Sequence, residues 1–460
     1  MLFSSIPFLY YFLPAVLIAY FLAPKQGKNT VLLLSSLLFY GWGEPKLLLL
    51  MVFTIGLFWL CGLAMGRAGE RGRKFWLAVC VSVSIALLAL FKYADFFIGS
   101  FDALTGLSLP LLKLALPVGI SFYTFQCLSY AIDVYRGAVP PQKNLVNFAA
   151  YVCLFPQLIA GPIVRYADVA RELEDRTTTW SDVSDGLRRF LIGLGKKVIL
   201  ADNLALLVNL YRESAQPSVL FAWMYAAAFT LHIYFDFSGY SDMAIGLGRV
   251  FGFHFIENFN YPYLSKSVTE FWRRWHMSLG SWFRDYVYIP LGGSRVSRMR
   301  WVFNILTVWM LTGLWHGAAW NFVLWGLLYA VCLLMEKWVS ALQKLPGALR
   351  HGYTLLIVVL GFVLFNAESL SQAGSDIACL FGFGGLPLTS LETAYYLRSF
   401  APLLIVACFG ATPAPKKAAC ALAKTQFSSA LELFLLAGIL LISTAYLVDG
   451  SFSPFLYFRF

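Results

Sequence analysis

The feature that most constrains this chain is the recurrence of apolar runs long enough to cross a lipid bilayer. A hydrocarbon core of roughly 30 Å needs about 20 residues of helix. Candidate runs fall near 3–23, 30–66 (a pair), 75–98, 107–135, 145–163, 187–210, 219–250, 301–335 (a pair), 352–368, 395–412 and 429–447. Composition agrees: of 460 residues, 59% are hydrophobic and 13% are charged. Soluble domains carry about 25% charged residues. A backbone inside lipid must satisfy its own polar groups, and unbroken apolar runs of this length do so as helices. The expected fold is an all-α, polytopic integral membrane protein.

The first run has no Lys or Arg before it, so it reads as a retained helix rather than a cleaved signal. The net charge of +11 does not indicate nucleic acid. The basic residues sit in short loops between apolar runs, as the positive-inside rule expects. The eight cysteines include no C-x-x-C pair, and scattered in apolar stretches they read as small buried hydrophobes. His232, His254 and His276 do not have metal-ligand spacing on one helix face, and no metal site is expected. The segments 336–351 and 413–428 carry Lys and Arg, whereas 369–393 carries none. This alternation assigns the first two to the cytoplasm and the third to the outside. One more crossing then delivers the C-terminal "SPFLYFRF" (453–460) to the outer side.

The pair 301–335 has basic residues at both ends: Arg295, Arg298 and Arg300 before it, Lys337 after it. It must enter and return. With about 16 residues per arm, each arm reaches only ~24 Å at 1.5 Å per residue. The turning point is "GLWHGAAWN" (313–321). This places His316 deep in the membrane beside a helix break, where ionisable groups are functional by default. Gly313 and Gly317 would let backbones approach closely.

The stretch "TEFWRRWHMSLGSWFRDYVYIPLGG" (269–293) reads as one amphipathic interfacial helix. At 100° per residue, Trp272, Trp275, Leu279, Trp282, Phe283 and Tyr286 fall on one arc, with His276 inside it. Arg273 and Arg284 share another face, and Arg274 and Asp285 a third. His276 is therefore aimed into the protein, and basic flanks suit the phosphates of an anionic donor. A third cluster, "YFDFSGYSDMAIGLG" (234–248), puts the carboxylates Asp236 and Asp242 in an otherwise apolar helix. Their roles stay open between ion pairing and substrate contact. "GLGKK" (193–197) lacks the residues of a phosphate-binding loop.

Taken together, these stretches, with "LPVGISFYTFQCLSYAIDVYRG" (116–137), "FPQLIAGPIVRY" (155–166), "ENFNYPY" (257–263) and "GLWHGAAWNFVLWG" (313–326), resemble the membrane-bound O-acyltransferases. The resemblance is to their bacterial alginate O-acetyltransferase-like branch, and it spans most of the chain. It implies a ring of roughly 11–13 transmembrane and re-entrant helices around a central funnel, built as one integral-membrane domain over 1–460 with an extracytoplasmic tail at 448–460. The family's basal histidine falls on His316 and its second histidine on His276. Candidate substrate contacts in the matched motifs are Arg273, Trp275, Arg284, Asp285, Asp236, Asp242, Asn260, Trp315 and Asn321. The tail resembles an aromatic motif of the D-alanylation system, whose tyrosine is taken to carry the acyl group; Tyr457 matches it.

The resemblance implies an O-acyltransferase of the bacterial cytoplasmic (inner) membrane, with no bound cofactor and acetyl-CoA as donor substrate. It implies a polysaccharide acceptor such as alginate and a periplasmic acetyltransferase partner, alongside membrane lipids and without nucleic acid. An imidazole with a reference pKa near 6.5 suits a general base. A phenol with pKa near 10 leaves better than an alkyl alcohol, so an acetyl-tyrosine would retain transfer potential. Acetylation of peptidoglycan, D-alanyl-type transfer, or a non-catalytic transporter or scaffold remain alternatives.

Overall fold

Proline and glycine decide which apolar runs become long helices. The computed structural model describes residues 2–422 and 428–450; Tyr457 and the rest of the aromatic tail lie outside the described residues. The described residues are helical, without strands. Seven helices among them are long and apolar enough to cross a membrane. The chain is an all-α polytopic membrane protein.

Contacts divide it into two compact units. The first comprises residues 1–190 and 241–256. It contains α1 (Leu13–Leu22), α2 (Lys28–Gly43), α3 (Leu48–Arg67), α4 (Glu70–Leu88), α5 (Ala94–Thr105), α6 (Ile120–Arg136) and α7 (Leu145–Cys153). Helix α8 (Trp180–Gly195) begins in it, and its last five residues count with the second unit. Helices α4 and α5 run on through a wide π-turn at Ala89–Tyr93, longer than the expected run at 75–98. Two expected runs are shorter than read. Pro110 and Pro117 keep 106–117 out of helix, and α6 begins only at Ile120, after Gly119 at φ +74°. Helix α7 stops at Cys153, where Leu154 leaves helical geometry ahead of Pro156. The core is aromatic: Phe3, Phe8, Phe12, Phe39 and Phe155 pack at 4.8–6.4 Å between ring centroids. Arg176 bonds the Asn29 side-chain oxygen at 2.6 Å and the Phe251 carbonyl at 2.9 Å.

The second unit comprises residues 191–240 and 257–460. After a π-turn at Lys196–Ala201 come α9 (Asp202–Arg212) and α10 (Val219–Val250), whose last ten residues count with the first unit. Then follow α11 (Val268–Arg274), α12 (Met277–Phe283), α13 (Arg298–His316), α14 (Trp320–Trp338), α15 (Gly347–Asn366), α16 (Leu391–Gly410) and α17 (Ser428–Val448). Helices α13 and α14 form the hairpin expected at 301–335. Each arm is 19 residues, about 28 Å long. That exceeds the expected 16, because α13 begins inside the basic flank at Arg298. Apolar burial gives little drive between helices in lipid, so close packing holds such a hairpin. A Cβ on Gly313 would lie 2.3 Å from the Phe322 carbonyl oxygen, and one on Gly326 would lie 2.2 Å from that of Trp309. These glycines are the condition for the two backbones to touch.

Candidate functional site

His316 is the last residue of α13, and the chain turns extended at Gly317 before α14 begins. The break expected at "GLWHGAAWN" is there. The imidazole is buried, 5% exposed. Three rings stand nearly perpendicular to it: Trp315 and Trp325 at 5.0 Å and Phe365 at 5.4 Å between centroids. This box fixes the ring and sheds water around it.

His276 arrives differently. The 269–293 stretch is not one helix. Helix α11 ends at Arg274, Trp275 is extended, and His276 takes left-handed geometry at φ +45°, ψ +52° before α12 starts at Met277. Left-handed backbone is unfavourable for a side-chain residue by about 1–2 kcal/mol, with histidine among the more tolerant. What holds the kink is Asn258. Its carbonyl oxygen accepts from the Met277 amide at 3.0 Å. Its side-chain Oδ1 accepts from the Ser278 amide at 3.3 Å and the Ser278 hydroxyl at 2.9 Å, and it faces His276 Nδ1 at 3.1 Å. The other ring nitrogen, Nε2, is buried without a hydrogen-bond partner among the described residues. Phe237 stands edge-on to the imidazole at 4.6 Å. Burial lowers the His276 pKa from the ordinary 6.5 to about 3, so the ring is neutral at physiological pH.

Trp315 joins the two histidines. Its ring lies 5.8 Å from that of His276 and 5.0 Å from that of His316, so the imidazole centroids are at most about 11 Å apart. An aromatic wall continues outward: Trp325 touches Trp272 at 5.5 Å, and Trp272 touches Trp309 and Tyr329 at 4.8 Å. One residue on from Trp272, Arg273 lines a cavity of about 1150 Å³. Four further cations line it: Lys266, Arg298, Lys337 and Arg350. Its single acid, Glu336, is occupied, accepting from the Val268 and Thr269 amides and the Thr269 hydroxyl. Trp301 and Trp338 meet at 6.1 Å on its wall, and the Arg298 guanidinium lies 4.9 Å over Trp338. Ligand pockets of roughly 300–1,000 Å³ hold drug-sized molecules; this cavity is somewhat larger, and its lining is cationic and aromatic.

The other candidates sit as follows. Trp275 is buried against Phe271, Phe259 and Phe362. Arg284 is exposed and paired with its neighbour Asp285 at 2.7 Å. Arg274, placed on a face with Asp285, pairs with Glu270 instead. Asn260 is exposed, its backbone bonded to that of Arg274. Asn321 donates to the Ala367 carbonyl at 2.8 Å, tying α14 to the end of α15. Asp236 and Asp242 do not share a site. Asp236 is buried against Lys197 Nζ at 2.7 Å, and the same ammonium pairs with Asp202 at 2.7 Å. Asp242 belongs to the first unit and pairs with Arg189 at 2.8 Å. Asn258, absent from the sequence candidates although it stands in the quoted "ENFNYPY", is the residue that shapes the His276 turn.

The model of the family described as "MBOAT, membrane-bound O-acyltransferase family" matches residues 140–368. The chain is 40% identical to a "Probable alginate O-acetylase AlgI" of Azotobacter vinelandii over the whole of both chains. It is 44% identical to a protein of the same description from Pseudomonas aeruginosa, over 86% of this chain and 77% of that one. It is also 33% identical to a "Peptidoglycan O-acetyltransferase" of Helicobacter pylori, over 85% of this chain and 82% of that one.

Proposed function

The chain belongs to the membrane-bound O-acyltransferase family, and on that premise we propose that it moves an acetyl group from cytoplasmic acetyl-CoA across the bacterial inner membrane for O-acetylation of an extracytoplasmic polysaccharide such as alginate. The observation that carries this reading is the pair of buried imidazoles on either side of Trp315, linked by packed aromatic rings to the segment that lines a cavity with five cations. Loop charge puts that cavity on the cytoplasmic side. Its cations suit the phosphates of CoA, and Trp301 or Trp338 suits the adenine ring.

His316 acts as general base and His276 orients the reacting groups. The imidazole takes the proton from a hydroxyl nucleophile, the oxygen attacks the thioester carbonyl, the C–S bond breaks, and the departing thiolate regains the proton from the imidazolium. The acceptor in this first step is the Tyr457 phenol, supplied by the tail outside the described residues. The phenyl ester then passes its acetyl group to a sugar hydroxyl, directly or through a periplasmic acetyltransferase, and the phenol is regenerated. Because only the acetyl group moves, CoA stays inside.

The test is peptide mass analysis after incubation with isotopically labelled acetyl-CoA. Label is expected on the 448–460 peptide of the wild-type protein and none in His316→Ala. An active preparation with an unlabelled tail would overturn the relay, and label at the wild-type rate in His316→Ala would overturn the base assignment. Release of free CoA coupled to acetylation separates this enzyme from a transporter of intact donor.

A further inference from the structure

We propose that Asn258 is a positioning residue that holds His276 as its Nδ1–H tautomer, so that the Nε2 lone pair is presented to the reacting groups. This rests on the reading of His276 as a member of the reacting pair.

The assignment follows from which groups can donate. The Ser278 backbone amide is an obligate donor, and it points at the Asn258 side-chain atom 3.3 Å away. That atom must be the amide oxygen rather than the nitrogen. The oxygen faces His276 Nδ1 at 3.1 Å. An unprotonated Nδ1 there would set two lone pairs against each other, so Nδ1 carries the hydrogen. A neutral imidazole has one N–H, and Nε2 therefore keeps its lone pair. The Ser278 hydroxyl completes the set by donating to the same oxygen at 2.9 Å. All three participants are buried: Asn258 is 1% exposed, His276 2% and Ser278 0%.

The Ser278 hydroxyl also approaches Nδ1, at 3.4 Å, but its shorter contact, 2.9 Å to the Asn258 oxygen, takes its hydrogen. Phe237 and Trp315 pack on the ring through their aromatic faces and edges. None of the side chains around the imidazole, namely Asn258, Ser278, Phe237 and Trp315, is charged. The ring is thus kept neutral by burial and kept in one tautomer by a single amide oxygen. The same asparagine anchors the left-handed turn through its backbone carbonyl, so the direction of Nε2 and its protonation state are fixed together.

Two variants and one spectroscopic measurement test this on the full chain in lipid nanodiscs. Solid-state NMR of histidine labelled with nitrogen-15, with His276 identified by subtraction of His276→Gln, should show protonated Nδ1 and unprotonated Nε2. Asn258→Leu removes the acceptor. It should give mixed tautomers and slow acetyl transfer roughly 10- to 1,000-fold, below the ~10⁴-fold seen when a catalytic histidine is locked in the wrong tautomer. The donor KM should stay within about threefold, since a positioning effect acts on kcat. Asn258→Asp keeps the acceptor and adds charge. It should retain about a tenth or more of the rate and move the acid limb of the pH profile upward by about one unit or more, because a carboxylate favours the imidazolium. A wild-type Nε2–H tautomer overturns the inference, as does a folded Asn258→Leu with the wild-type rate. Equal impairment of both variants with no movement of the acid limb also overturns it. If Asn258→Leu fails to fold, the wild-type tautomer and the Asn258→Asp profile still decide. A wild-type rate in His276→Gln would instead remove the reading on which this rests.

Discussion

Asp236, whose role the sequence leaves open between substrate contact and ion pairing, sits in an internal ion triad, and the two roles predict opposite phenotypes. The Lys197 ammonium lies 2.7 Å from one oxygen each of Asp202 and Asp236, with side-chain exposures of 2%, 8% and 1%. At an effective dielectric of about 20, each contact at that distance is worth about 6 kcal/mol of Coulomb attraction, against several kcal/mol to desolvate each ion. Lys197→Met forfeits both attractions and leaves two buried carboxylates without their shared cation, so it should cost about 3–5 kcal/mol. Asp236→Asn preserves shape and a carbonyl acceptor, leaves Lys197 paired with Asp202, and relieves the repulsion between carboxylates. It should cost about 1 kcal/mol. Membrane proteins usually melt irreversibly, so the comparison is made at one scan rate in one detergent. Lys197→Met should then melt roughly 6–20 °C lower and Asp236→Asn roughly 2–4 °C lower. In acetyl transfer, Asp236→Asn should keep the donor KM within about twofold. A tenfold rise in KM at unchanged melting temperature would make Asp236 a substrate contact, and a Lys197→Met protein that melts like wild type would refute the triad as what holds α10 to the π-turn.

Gly326→Ala puts a methyl 2.2 Å from the Trp309 carbonyl oxygen. It should force the α13–α14 hairpin apart at a cost of about 1–3 kcal/mol or more and lower both melting temperature and transfer, whereas Gly280→Ala, whose new methyl meets nothing nearer than 4.0 Å, should be neutral by the same two assays. The His276 imidazole binds a proton more weakly when folded, at about 3, than when unfolded, at 6.5. The unfolded state therefore holds the extra proton between those values, so stability present above pH 6.5 should fall on acidification by up to about 1.4 kcal/mol per unit; melting curves from pH 7 to 4 should be flatter for His276→Gln. Arg298→Gln combined with Arg350→Gln, which removes two of the cavity cations, should raise KM for acetyl-CoA about tenfold in low salt while leaving KM for acetyl-pantetheine, which lacks the nucleotide, within about twofold.

The two histidines show why part of this site can be read from sequence and part cannot. His316 was legible because its determinants are local. Two glycines, a histidine and an asparagine fall within nine residues between two apolar arms flanked by positive charge, and positive flanks on both sides require a hairpin. Its arms were underestimated because apolarity marks where a helix meets lipid rather than where its hydrogen bonding starts; α13 begins in the arginines. His276 was legible in its burial and not in its backbone. The 100° wheel puts Trp272, Trp275, Leu279 and Trp282 on one arc, and all are buried or half-buried. Yet the chain leaves helical geometry at Trp275 and His276. The force responsible is the side chain and carbonyl of Asn258, eighteen residues upstream, and no periodicity registers a contact between segments. The prolines at 110 and 117 are the opposite case: local signals strong enough to interrupt a leucine-rich run that hydropathy alone counts as a crossing.

The chemistry depends on that difference in origin. On the proposed mechanism, a base and its partner must hold position while a donor with a long pantetheine arm moves past them. His316 is held by aromatic rings on three sides, which fix the position of the ring. His276 is held by an amide oxygen, which fixes the proton as well. Trp315 packs against both rings, so a displacement of either histidine is felt by the other through one side chain. On this reading Trp315→Ala should impair transfer more than a change in either ring's surroundings alone, since it removes the contact through which a hydrophobic box and a hydrogen-bonded clamp form one site.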